Sequence, residues 1–114
     1  VISHPDLISP HFSKLVKNLH KANVHDSIKR NTVRLLQHVN IPKKFHGEVM
    51  KICMDYIASN DEPVAVKAFS LSILQNLSKQ YPEIKNEVTL IIEERWPHET
   101  AAFHSRAEKF LKTL

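Results

Sequence analysis

The chain has 114 residues, 42% hydrophobic and 25% charged, with a formal net charge of +4 and an isoelectric point near 9.3. That balance fits one globular domain spanning 1–114 and excludes a disordered tail, whose apolar fraction would be lower. A single cysteine, Cys53, excludes a disulfide scaffold, and a single glycine, Gly47, excludes the multi-glycine loops of dinucleotide and P-loop nucleotide sites.

Six segments in succession place apolar residues at i, i+4, i+7, i+8 and i+11, which is one face of an α-helix. Ile8, Phe12, Leu15, Val16 and Leu19 predict a helix over 10–22, after Pro5 and Pro10. Ile28, Thr32, Leu35, Leu36 and Val39 predict one over 24–40, with Thr32 the weak member and Asn23 and Asp26 at capping-box spacing. Phe45, Val49, Ile52, Cys53 and Tyr56 predict 44–58, after Pro42. Val66, Ser70, Ile73, Leu74 and Leu77 predict 63–79, with Asn60 and Asp61 as candidate caps. Ile84, Val88, Ile91 and Ile92 predict 83–95, where Arg95 breaks the fifth place and Trp96 follows it. Phe103, Ala107, Phe110, Leu111 and Leu114 predict 100–113. Each proline lies at or near a helix start, where its missing N–H would have been unpaired anyway. No strand is predicted, and no apolar run approaches the roughly 18 residues of a membrane helix. The lone cysteine makes the reducing cytoplasm the expected compartment.

The six helices fall into three pairs. Ile8, Phe45 and Ile84 open the first helices at spacings of 37 and 39, and Ile28, Val66 and Phe103 the second helices at 38 and 37. A two-helix unit repeated about every 38 residues is the sequence signature of an α-solenoid; an unrelated six-helix bundle is the alternative. The repeats run over about 5–40, 42–80 and 82–114. His4-Pro5-Asp6-Leu7 mirrors Tyr81-Pro82-Glu83-Ile84, which follows a second helix. A further second helix is therefore expected before Val1, making the chain a piece of a longer one. Apolar residues near that end, Leu7, Phe12 and Leu15, would then support self-association.

With Ile28-Lys29 and Val66-Lys67 as apolar-basic steps opening the second helices, and Ile41-Pro42 and Tyr81-Pro82 opening the first, the whole chain resembles the HEAT-repeat family. The third repeat departs, with Phe103-His104 at the matching place and Arg106 two residues on. The resemblance implies a right-handed α-solenoid of three two-helix repeats whose second helices line a concave face. It also implies that the basic residue of the step often pairs with an acidic loop residue, for which Asp26 and Asp61 are placed. The stretches HPDLISPHFSKLVKNL, NTVRLLQHV and EPVAVKAFSLSILQNL are similar to short bacterial repeat proteins, some of which carry an adenylosuccinate lyase label. A lyase of that family is several times longer and has a Ser-rich loop with Met, Lys and Asn that is missing here.

Charge is unevenly placed. The predicted second helices carry eight Lys/Arg against Asp26 and Glu108, while the first helices carry seven Lys/Arg against six Asp/Glu. On the face implied by the resemblance, Lys29, Arg30, Arg34, Lys67 and Arg106 are the candidate anion-binding residues, acting through their summed field. The plainer reading of the same residues is a solvated helix surface. Eight histidines are many for this length, but no HExxH motif is present and most lie at helix ends or polar positions, so no metal site is assigned. Glu93 and Glu94 are adjacent and point apart on a helix, and Cys53 falls on an apolar face, so no catalytic residue or cofactor is assigned. Three functions remain: a scaffold for a protein partner, which is the reading preferred; a nucleic-acid or other polyanion binder on the basic concave face; and an enzyme, which the residues do not support. Alkylpurine DNA glycosylases use similar repeats, but the acidic and aromatic pocket they carry on that face has no counterpart here.

Overall fold

In the computed structural model, which describes Val16, residues 26–38 and residues 41–113, the predicted helices are α1 (Asp26–Leu36), α2 (His46–Ala58), α3 (Val64–Ser78), α4 (Ile84–Arg95) and α5 (Ala101–Leu111). Short 3-10 turns at Lys43–Phe45 and Trp96–His98 lead into α2 and out of α4. The helix predicted over 10–22 lies outside the described residues except for Val16, which is helical and buried. The described residues contain no strand.

Helix starts follow the prolines. Pro63 holds extended backbone (φ −59°, ψ 148°), and its carbonyl accepts the first helical hydrogen bond of α3, from the Lys67 N–H at 3.2 Å. Neither Asn60 nor Asp61 caps this helix, contrary to the sequence reading, because Pro63 itself occupies the capping position. The Asn60 side chain is taken by Arg95, and the Asp61 N–H donates to Ser59 Oγ at 3.0 Å. The loop between α2 and α3 is thus closed by its own Ser59 and by a residue of the next repeat.

Helices α1, α3 and α5 lie side by side with α3 in the middle, and α2 packs against both α3 and α4. Two layers result, with the apolar faces of both turned inward. The repeat is visible in burial. Leu36 and Leu74, at matching positions, are both buried, as are Val49 and Val88. The weak members of the apolar pattern, Thr32 and Ser70, are buried beside their counterpart Ala107, so that position takes a small side chain in every repeat. Central α3 is apolar on most of its circumference, as a helix enclosed by neighbours must be; Ala65, Phe69, Ser72 and Asn76 form the stripe left on its open side. The arrangement is an all-helical α-solenoid, with α2 packed on α3 and α5 held chiefly by α3.

Candidate binding surface

The open side of α1, α3 and α5 is the surface toward which the sequence pointed, and its five candidate cations divide into two groups. Lys29 and Lys67 are withdrawn into ion pairs. Lys29 Nζ donates to both carboxylate oxygens of Glu62, at 2.9 and 3.0 Å, and lies 5.1 Å from the centre of the Tyr56 ring. Lys67 is 2% exposed; its Nζ meets Glu99 Oε2 at 2.5 Å and also donates to the Ser59 carbonyl. Glu99 in turn accepts from Arg95 Nε at 2.8 Å.

These two pairs are one device used twice. Each lysine follows the apolar residue that opens its helix, and each carboxylate sits in the loop just before the next second helix. The lysine side chain therefore reaches forward and fastens one repeat to the next. The carboxylates seen in the pairs are Glu62 and Glu99, where the sequence had offered Asp26 and Asp61. Charge-assisted hydrogen bonds of this kind compensate the desolvation that burial imposes on both partners. At the third matching place His104 stands instead of lysine. Its Nε2 bonds the Trp96 carbonyl at 2.8 Å, eight residues back, as Lys67 bonds Ser59 eight residues back. The imidazole also stacks on the Trp96 indole, 4.1 Å between ring centres and 10° from parallel.

The remaining three cations face outward. Arg30 and Arg34 are exposed. Arg106 is half-buried: its guanidinium donates to Ser72 Oγ and lies 5.8 Å from the centre of the Phe69 ring, so α5 reaches across the open stripe of α3. Arg34, Ser72 and Lys109 stand 38 and 37 residues apart and share one register position, a row across the three helices. Lys109 is exposed and was not among the candidates, although its spacing from Ser72 marks it. Helix α3 contains no Asp or Glu. Glu108 in α5 lies about 160° around the helix from Arg106, on the far side.

Other reactive side chains serve packing. Cys53 is fully buried; burial pushes its thiol from 9.0 up to about 12, against a smaller downward pull from the Ser70 hydroxyl. Tyr56 is likewise raised, first by burial, then by the charges of Glu62 and Cys53. His46 is buried with both ring nitrogens bonded, Nε2 to the Ile41 carbonyl at 2.7 Å and Nδ1 to the Tyr81 hydroxyl at 2.9 Å. Among the described residues no group of three His, Cys, Asp or Glu side chains could hold a metal ion, and no helix is long and apolar enough to cross a membrane.

No curated protein and no solved structure gives a significant match to the chain. The family model for the HEAT repeat domain, however, matches residues 2–114, nearly the whole length. Paired helices at a spacing near 38 residues, stacked in two layers and fastened repeat to repeat, agree with that match, and the chain belongs to the HEAT repeat family.

Proposed function

We propose that the chain is a non-catalytic scaffold that binds an acidic segment of a protein partner along the open face of α1, α3 and α5. The observation that carries this reading is the charge on that face: Arg30, Arg34, Arg106 and Lys109 stand around a stripe of α3 that has no carboxylate. Solenoid repeats present extended surfaces of this kind for binding. Withdrawal of Lys29 and Lys67 into ion pairs weighs against a nucleic-acid duplex as the ligand. A duplex binder commonly makes some 6–10 phosphate contacts, whereas this face offers Arg30, Arg34 and Lys109 with Arg106 already engaged. Phe69 beneath Arg106 adds an apolar contact that a peptide side chain would use.

The test is site-specific photo-crosslinking. A photoreactive amino acid at Ala102, one turn before Arg106, is compared with one at Leu90, 65% exposed on α4. The chain is irradiated in extract from its source. The scaffold reading requires protein adducts at Ala102 that are absent at Leu90 and map to acidic segments. Nucleic-acid adducts at Ala102, or identical adducts at both positions, would overturn it.

A further inference from the structure

A second basic feature lies at the edge of the stack and plays no part in the scaffold reading. Where the C-terminal ends of α1 and α3 meet the turn that leads into α2, a cleft of about 500 Å³ opens. That volume falls in the range of small-molecule sites, roughly 300–1,000 Å³. Its titratable lining is uniformly basic: His38, Lys43, His46 and Lys79 contribute to it, and no carboxylate does. His46 is committed on both ring nitrogens and forms wall rather than ligand. Lys43, Lys79 and His38 are exposed and make no ion pair among the described residues. Beneath them Leu36, Ile73 and Leu77, all buried, close the floor, and Ile41 is the half-buried apolar side chain of the wall.

The carbonyls of the two helix ends, which would repel an anion, are partly satisfied from within. Asn76 Nδ2 donates to the Gln37 carbonyl at 3.1 Å, and the Gln80 and Tyr81 N–H groups both donate to the Leu77 carbonyl at 3.0 Å. Lys79 sits at the C-terminal cap of α3, where a cation also offsets the helix dipole. Lysine ammonium groups are compact, multiply donating charges suited to phosphate.

We propose that this cleft binds a phosphate monoester, its oxyanion held by Lys43, Lys79 and His38 and its organic part against Ile41, the half-buried apolar residue of the lining. The ester is either a free small molecule or a phosphorylated side chain, and the two share this recognition chemistry. The test is a ¹H–¹⁵N NMR titration of the full chain with phenyl phosphate, inorganic phosphate and phenol, with ionic strength held constant by chloride. Saturable shifts are expected at the His38, Lys43, Lys79 and Gln80 amides with phenyl phosphate, weaker binding with inorganic phosphate, and no saturation with phenol. Lys43→Gln combined with Lys79→Gln should raise the phenyl phosphate Kd roughly tenfold or more; both side chains are exposed, so unchanged core resonances will show the variant folded. Titration with phosphotyrosine and with a phosphotyrosine tripeptide then separates the sources, tighter binding of the tripeptide indicating a modified side chain. Absence of saturable shifts, an unaltered Kd in the double variant, or an equal response at Lys51 on α2 would overturn the proposal. The titration makes no use of the open face, so its outcome and that of the scaffold reading are distinguishable.

Discussion

Glu99→Gln is the substitution that presses hardest on how the repeats are joined. Glu99 accepts from two cations, Lys67 and Arg95, and is 7% exposed at its side chain. Removing its charge at constant shape leaves Lys67, 2% exposed, with only neutral acceptors, the Ser59 carbonyl and the new amide oxygen. Breaking one side of a buried pair typically costs about 3–5 kcal/mol, because an uncompensated charge stays behind. Set against a total stability of about 5–15 kcal/mol for a small domain, that loss is severe. Lys67→Met should cost less, about 1–2 kcal/mol, since Glu99 keeps Arg95 and only hydrogen bonds are lost. The double variant should then be more stable than Glu99→Gln alone, because the stranded ammonium is gone. Urea denaturation of the four proteins, followed by circular dichroism, reads all three differences. A cost below about 1 kcal/mol for Glu99→Gln, or a larger cost for Lys67→Met than for Glu99→Gln, would refute the reasoning.

Other consequences are as specific. Leu36→Ala and Leu74→Ala, each fully buried in a matching position, should each lower stability by about 2–5 kcal/mol in the same assay; losses under about 1 kcal/mol would show that these sites are not tightly packed. Cys53, with its thiol pushed up to about 12, should resist a thiol reagent at pH 8 in the folded chain and react promptly in urea; rapid labelling of the native protein would contradict its burial. The same shift sets a pH dependence. The unfolded thiol ionises near its ordinary value of 9.0 while the folded one does not, so stability is undiminished below that value and falls as pH rises from about 9 toward 12. Cys53→Ala should reduce that alkaline slope without abolishing it, because the raised Tyr56 phenol acts in the same direction; an unchanged slope would assign the loss elsewhere.

Most of the architecture was legible because one periodic signal was repeated. Among the described residues each apolar set from Ile28 onward matched a helix face, and the prolines fixed the starts, so five helices were found close to their expected bounds. Thr32 and Ser70 looked like flaws in the pattern, yet both are buried; a repeat pattern reports position better than residue type. The caps were misread because Asn60 and Asp61 have capping chemistry, while only the three-dimensional contact with Arg95 shows where Asn60 is used. At the candidate surface, sequence found the basic steps Ile28-Lys29 and Val66-Lys67 but could not say that each lysine reaches forward to Glu62 or Glu99. That choice depends on how far one repeat is rotated on the next, which no local spacing encodes. Lys109, by contrast, could have been found by extending the 37-residue register from Ser72.

The proposed binding along the open face is tested most directly by affinity. The measurement is the affinity of the segment captured at Ala102 for the native chain and for two charge-reversed variants, by isothermal titration calorimetry at fixed salt. Arg34→Glu with Lys109→Glu reverses the row across α1 and α5, and Glu93→Lys with Glu94→Lys reverses exposed charge on α4. The open-face account predicts a Kd raised tenfold or more by the first pair, about 1.4 kcal/mol, and little changed by the second. An affinity insensitive to Arg34 and Lys109 but lost on reversal of Glu93 and Glu94 would contradict it.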